Sequence, residues 1–150
     1  MTNLAVHFSS VKDTWTTPRD LFNKLDTEFG FTLDACALAC SALCPQWYGP
    51  DHTDPLRRDC LVTDWVTDAR GGAIFMNPPY GRVIGAFMAK ANNEAQRGAR
   101  VVCLVPSRTD TNWFHNYAIH WEVRYLRGRL KFGDAVNSAP FPSAIVVMSR

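Results

Sequence analysis

The stretch AIFMNPPYG, residues 73–81, joins a continuous apolar run to an abrupt turn. Four successive apolar residues, Ala73–Met76, predict a strand buried on both faces, and the two prolines that follow cannot extend it. Beyond the turn, apolar residues recur at helical spacing and predict an amphipathic helix that stops at Gly98; they are Val83, Ile84, Phe87, Met88, Ala91 and Ala95. A buried strand, a tight turn and a helix form the repeating unit of α/β proteins.

Strands and helices alternate on both sides of this unit. Upstream, Thr17 is expected to cap a helix that starts at Pro18 and ends at Gly30. A short strand follows at 31–34, and one further helical turn is expected within 35–43. Downstream, a helix is predicted around Trp113–Tyr117, and three strands are predicted at 101–105, 122–126 and 144–148.

This alternation predicts a single α/β domain over residues 1–150, with 1–14 as a weakly structured lead-in. Its sheet is expected to be mainly parallel and covered by helices on both faces. Sheets of this kind bind ligands at the carboxyl ends of their strands. Asp34 and Asn77 both stand at such ends, which makes them the first candidates for a functional site.

Composition and charge fit a globular domain with two unlike halves. Hydrophobic residues make up 47% and charged residues 20% of the chain. No signal peptide or membrane-length apolar segment is apparent, and an odd number of cysteines, five, fits a reducing compartment, so we expect a cytoplasmic protein. Residues 1–80 carry a net charge of −4 and residues 81–150 a net charge of +6. The asymmetry suits a cationic small molecule at one end and a polyanion at the other, or is only an uneven surface.

Asn77-Pro78-Pro79-Tyr80 carries the strongest chemical signal. The lone pair of an aryl amine such as adenine N6 is delocalised into the ring, so a catalyst must accept hydrogen bonds from both amine hydrogens to localise it. Asn77 offers a side-chain carbonyl and Pro78 a backbone carbonyl, on a turn that Pro79 stiffens. Tyr80 offers a flat surface for an extruded base. A tight turn that merely uses prolines is the structural alternative.

Cys36, Cys40 and Cys44 recur every four residues, a spacing that would place them on one face of a helix. Cys60 or His52 could complete a zinc site with them. No CxxC pair is present, so we favour free thiols and predict that no metal is bound. Cys36, Cys40, Cys44 and Cys60 are called the cysteine group below.

The chain resembles the phage-type (Dam-like) DNA N6-adenine methyltransferases. The resemblance spans most of the sequence and rests on WTTP (15–18), FTLDACA (31–37), DW (64–65), FMNPPYG (75–81), LVPSRTDTNWFH (104–115), GRLKF (128–132) and APFPSAIVV (139–147). It implies a Rossmann-like S-adenosylmethionine-dependent methyltransferase fold of seven strands with the last antiparallel. It also implies methyl transfer from S-adenosylmethionine to adenine N6 in duplex DNA, on a base flipped out of the helix, by a phage- or prophage-encoded enzyme.

The resemblance also assigns roles to single residues. Trp15 and Thr17 would hold the methionine end of the cofactor, with Asp34 and Cys36 of the LDACA motif beside its cationic portion. Asp64 would accept a hydrogen bond from the cofactor's adenine amine. The structural alternatives are a helix cap for Thr17 and turn positions for the two aspartates.

Substrate contacts are expected in the second half of the chain. Phe132 would stack on the flipped adenine from the side opposite Tyr80. Arg129 and Lys131, with Arg127, alternate along a predicted short strand and would face phosphates, or would only solvate an edge strand. Arg108 follows the strand at 101–105 and is well placed to meet DNA.

Two other functions stay open on the sequence alone. Sequences with NPPY also methylate RNA bases or protein glutamine, and a non-catalytic nucleic-acid-binding module could keep the same fold. The small size leaves little room for a separate target-recognition domain, so a homodimer that grips DNA with two subunits is a further possibility. No membrane association is expected.

Overall fold

A computed structural model describes residues 15–133 and 135–150. The predicted lead-in, residues 1–14, lies outside the described residues. Six strands form one sheet in these ranges: β1 (Phe31–Asp34), β2 (Gln46–Trp47), β3 (Ala73–Met76), β4 (Val101–Pro106), β5 (Glu122–Tyr125) and β6 (Ser143–Met148). Four helices accompany them: α1 (Arg19–Phe29), α2 (Trp65–Asp68), α3 (Ile84–Gln96) and α4 (Asn112–Asn116). Short 3₁₀ turns lie at Pro55–Arg57, Cys60–Val62 and Ala118–His120. No helix in the described ranges has the length and apolarity to cross a bilayer.

The sheet has the strand order β2-β1-β3-β4-β6-β5. Strands β2, β1, β3 and β4 run parallel, and β6 is inserted antiparallel between β4 and β5. The expected parallel sheet with an antiparallel last strand is therefore present, and it is compatible with a Rossmann-like fold. Six strands are seen in the described residues where the resemblance implies seven.

Burial explains why the apolar runs became strands. Every residue of β3, β4 and β6 is buried, as expected for strands covered on both faces. Helix α1 packs on the sheet through Phe22, whose ring lies 5.4 Å from Phe31 and 5.2 Å from Phe75 between centroids. Helix α3 packs on β4 and β6 with its buried stripe, which includes Phe87 and Met88.

Three local predictions are wrong. Helix α1 begins at Arg19 after Pro18, and no side chain caps it, so Thr17 is not the cap. Residues 35–43 form bends and turns instead of a helical turn, because the Asp34 carboxylate accepts the amides of Cys36 and Leu43 and folds the segment back on itself. Residues 127–131 do not form a strand either: the amide of Gly133 is bonded to Thr16, which draws the segment away from the sheet.

Candidate functional site

The carboxyl ends of β1 and β3 open into one cleft, with an empty volume of about 440 Å³. Parallel pairing sets Asp34 opposite Phe75, so Asp34 lies near the turn that starts at Asn77. The cleft is lined by Trp15, Thr16, Thr17, Asp34, Cys36, Ala37, Leu38, Ser41, Leu43, Asn77, Pro78 and Pro79. Seven of the residues singled out from the sequence therefore meet in one place: Trp15, Thr17, Asp34, Cys36, Asn77, Pro78 and Pro79.

The Asn77 side chain has a fixed orientation. Its Nδ2 donates to the backbone carbonyl of Trp15 and to Oγ1 of Thr17, at 3.0 Å from the latter. A carbonyl can only accept, so the amino side of the amide must face Trp15. Its other end, Oδ1, is buried and has no hydrogen-bond partner among the described residues. An unpaired buried acceptor is costly, and in a cleft it is a place where a donor on a ligand would be bound.

Residues 15–17, here called the strap, contact two parts of the protein: the Asn77 amide and a segment from the second half of the chain. The amide of Gly133 donates to the carbonyl of Thr16 at 2.8 Å. The Trp15 ring packs edge-on against Phe132 and Phe141, with centroids 5.4 and 5.3 Å away. The strap therefore bridges the Asn77 turn and the segment that carries Phe132.

Asp34 is an acid buried beneath the cleft, with 2% of its surface exposed. Its Oδ1 accepts from the Cys36 amide at 3.4 Å and its Oδ2 from the Leu43 amide at 3.1 Å. Burial raises the pKa of Asp34 to about 7, because removal from water penalises the carboxylate more than those two hydrogen bonds stabilise it. No cation is paired with this carboxylate in the described part of the chain, so a cationic ligand in the cleft would stabilise its ionised form.

An aromatic cluster closes the side of the cleft beyond the NPPY turn: Trp15, Tyr80, Phe132 and Phe141. Tyr80 is fully buried and donates its hydroxyl to the carbonyl of Leu104 at 3.3 Å. Its ring meets Phe132 at 6.2 Å between centroids with the planes at 87°. The expected slot between two parallel rings is therefore closed here, since the rings bury their apolar surface against one another.

Asp64 does not line the cleft. It is the N-cap of α2, where it accepts the amide and the hydroxyl of Thr67 and pairs with Arg97 at 3.1 Å. The Thr67 bonds and the Arg97 cation lower the pKa of Asp64 to about 2, although the side chain is half exposed. The expected contact with a cofactor amine is thus not prepared, because intramolecular donors already hold this carboxylate.

The predicted basic residues occupy two positions. Arg108 lies just beyond β4 with its guanidinium over the Phe141 ring, 5.7 Å from the centroid, and so borders the aromatic cluster. Arg129 and Lys131 are exposed and lie in the irregular segment that reaches the strap through Phe132 and Gly133. They share no strand face, but they lie within a few residues of the cluster.

The cysteine group is scattered instead of sharing one helical face. Cys36, Cys44 and Cys60 are buried and Cys40 is exposed. Burial, together with a contact to Cys60, raises the pKa of the Cys36 thiol, and burial raises that of Cys44 to about 12. Throughout the described ranges, no three His, Cys, Asp or Glu side chains come together as a metal site. The free-thiol state of the purified protein stays a prediction.

Sequence reasoning missed two components of this site. One is the Trp15 carbonyl, which is a main-chain group and leaves no mark on the residue pattern. The other is Phe141, which packs against Trp15, Tyr80, Phe132 and Arg108. Phe141 stands in the quoted APFPSAIVV tail, so an aromatic among prolines just ahead of a buried strand was an available signal.

The fold is compatible with a Rossmann-like domain that has a cleft at the carboxyl ends of its parallel strands. Comparison with known proteins is more specific. The model of the family described as DNA N-6-adenine-methyltransferase (Dam) matches residues 5–148, so the chain belongs to this family, as its motifs predicted. A DNA N-6-adenine-methyltransferase of Escherichia phage T1 is 28% identical over 106 residues, which cover 70% of this chain. The match spans 40% of the length of that relative.

Proposed function

We propose that this chain transfers a methyl group from S-adenosylmethionine to the N6 amine of adenine in DNA, directly, on a base rotated out of the duplex. The family membership supports adenine in DNA as the substrate. The observation that carries the chemistry is the orientation of Asn77, which lines the cleft and whose Oδ1 is buried and unpaired among the described residues. The finer fold assignment that goes with it is the S-adenosylmethionine-dependent methyltransferase fold.

Asn77 and Pro78 would act by accepting hydrogen bonds from the target amine. Each bond from an amine hydrogen draws the lone pair out of conjugation with the adenine ring and raises its nucleophilicity. The orientation of the Asn77 amide is fixed before a substrate binds, since both Nδ2 hydrogen bonds must break before the amide can rotate. Such a site lowers the barrier by positioning and electrostatics alone, without a covalent enzyme intermediate.

The cleft residues fit the cofactor. The buried carboxylate of Asp34, which has no cation paired with it among the described residues, suits the positively charged portion of that ligand. Trp15, Thr17 and Cys36 would line the same end of the site. When bound, S-adenosylmethionine supplies an electrophilic methyl group on a sulfonium centre. The protein would hold that methyl group in line with the amine and keep water away from it.

DNA would approach from the side of the aromatic cluster. Phe132 and Tyr80 must separate to admit a base between them, with aromatic–base stacking worth about 1–3 kcal/mol per base to offset their lost mutual contact. Arg108, which lies over the Phe141 ring, and the exposed Arg129 and Lys131, which precede Phe132 in the chain, would contact phosphates. A second copy of the chain would be one way for so small a domain to extend its grip on the duplex.

The test is transfer of tritium from labelled S-adenosylmethionine to unmethylated duplex DNA, RNA and protein, followed by nucleoside and amino-acid analysis. We expect N6-methyladenine from duplex DNA. N4-methylcytosine alone, or methylated glutamine alone, would overturn the proposal.

Comparison of an Asn77 variant with a control variant separates an effect on the rate of methyl transfer from an effect on binding. Asn77→Ala should lower the single-turnover rate by about 10²–10³-fold, the cost of one lost transition-state hydrogen bond, while cofactor and DNA affinities stay close to those of the wild type. Asn93→Ala, which truncates an exposed asparagine on α3, is the matched control and should keep full activity.

A further inference from the structure

Thr17 has a hydroxyl that its own helix does not use. It stands two residues before the first residue of α1, one position ahead of the N-cap that threonine favours, and no side chain caps this helix. Pro18 takes the capping position instead, and its carbonyl accepts the first helical bond, from Phe22 at 3.1 Å. The start of α1 therefore fixes the Thr17 backbone and leaves Oγ1 free to accept from Asn77.

We infer that Thr17 is a positioning residue for Asn77: its hydroxyl holds the amide so that Oδ1 is presented to the target amine. The inference rests on the proposed function for the identity of that amine. Without Oγ1, only the Trp15 carbonyl would bind Nδ2, and the amide could swing about that single bond. The role differs from a cofactor contact, because it acts on the methyl-accepting group through Asn77.

The strap also connects the Asn77 amide to the segment around Phe132, which would contact the substrate base. The Thr16 carbonyl, between the two groups that bind Asn77, accepts the Gly133 amide at 2.8 Å. Gly133 has φ +53, and a Cβ at this position would come to 3.3 Å from the Thr16 Cβ, so the approach of the two segments is close. Trp15 touches Phe132 next to it. Separation of Phe132 from Tyr80 by an entering base would therefore act on the strap, in which Trp15 and Thr17 hold the Asn77 amide.

The experiment compares two substitutions of one side chain in the intact protein. Thr17→Val keeps the shape and removes Oγ1, whereas Thr17→Ser keeps Oγ1 and removes only the methyl group. Thr27→Val, which deletes an exposed hydroxyl bonded to the Asn23 carbonyl within α1, controls for the substitution itself. Three quantities are measured: the single-turnover rate at saturating cofactor and DNA, cofactor affinity by calorimetry, and the side-chain amide resonances of Asn77 by ¹⁵N–¹H NMR.

We expect Thr17→Val to lower the single-turnover rate at saturating cofactor and DNA by about five- to ten-fold, the rate equivalent of one net hydrogen bond; saturation separates this effect from any change in cofactor affinity at the cleft. Its Asn77 side-chain amide protons should shift and exchange faster with solvent, and Thr17→Ser should restore both the rate and the resonances. A weakened cofactor affinity with an unchanged rate would show a cofactor contact and overturn the inference. Unchanged Asn77 resonances in Thr17→Val would overturn it too, even if no nucleic acid proves to be methylated.

Discussion

Replacement of Asp34 by asparagine should remove a pH dependence that burial builds into the stability of this domain. The wild-type carboxylate is buried beneath the cleft, and among residues 15–133 and 135–150 it accepts hydrogen bonds from the amides of Cys36 and Leu43 alone. Two neutral donors do not offset the loss of water, so the pKa of Asp34 rises to about 7 in the folded protein. In the unfolded chain the same group returns to its ordinary value of about 3.9.

The direction in which the free energy of unfolding changes with pH follows from proton binding. Between pH 4 and pH 7 the folded protein holds a proton on Asp34 that the unfolded chain has released, so the free energy of unfolding falls as the pH rises through this interval. A displacement from about 3.9 to about 7 corresponds to a loss of up to about 4 kcal/mol. Asparagine cannot ionise, so this loss is absent from the variant. The substitution itself lowers the free energy of unfolding by about 1 kcal/mol, because the asparagine amino group replaces one carboxyl oxygen and cannot accept a hydrogen bond from the backbone amide that it faces.

The assay is urea unfolding of the wild type and Asp34→Asn at half-unit steps from pH 4.5 to pH 8.5. The two proteins should be about equally stable at pH 4.5, where the wild type has already lost about 1 kcal/mol, and the variant should be more stable by about 3 kcal/mol at the alkaline end. Asp51→Asn is the matched control, since its carboxylate also accepts a backbone amide, that of Ala39, but is exposed. The Asp51→Asn difference is the baseline against which the Asp34→Asn difference is compared.

A ligand arm tests the same carboxylate. If S-adenosylmethionine binds beside Asp34, its affinity for the wild type should increase as the pH is raised toward 7, by up to about tenfold per pH unit. The reason is that the ionised acid attracts the cation. Asp34→Asn should bind weakly and without that dependence. A stability difference between the wild type and Asp34→Asn that stays constant from pH 4.5 to pH 8.5 would refute the reasoning about burial.

Three further predictions concern other parts of the molecule. Replacement of Arg129 and Lys131 by alanine should weaken DNA binding and reduce the log–log salt slope by about 0.9 for each lost phosphate contact, as measured by fluorescence anisotropy; an unchanged slope would exclude them from the DNA interface. Glu94→Ala should destabilise the fold by about 3–5 kcal/mol in urea unfolding, because the buried Glu94 carboxylate accepts the Trp65 amide and neutralises Lys90 and Arg97, and a loss below about 1 kcal/mol would contradict this account. Elemental analysis of the purified protein should find no stoichiometric zinc, and chelators should leave its melting temperature unchanged; near-equimolar zinc would show that the cysteine group is a metal site.

The sequence by itself determined the longer strands and helices and the two strand ends that form the cleft. Apolar runs become buried strands wherever they fall, and two successive prolines end a strand under any tertiary arrangement. The residue pattern alone therefore places Asp34 and Asn77 at carboxyl ends, and parallel pairing then requires them to be neighbours. The family could be recognised for the same reason, since its motifs lie in order along the chain.

Only the tertiary structure decided which partner each polar side chain takes. Asp64 caps its own helix through Thr67 and pairs with Arg97, thirty-three positions further along the chain, whereas its contact with a cofactor stays a prediction. Asn77 is oriented by groups some sixty positions earlier in the chain, one of them a main-chain carbonyl that no residue pattern reveals. Residues 127–131 alternate like a strand, but the bond from Gly133 to the strap draws them off the sheet. Periodicity is a local property of a sequence, whereas hydrogen-bond partners are chosen among groups that only folding brings together.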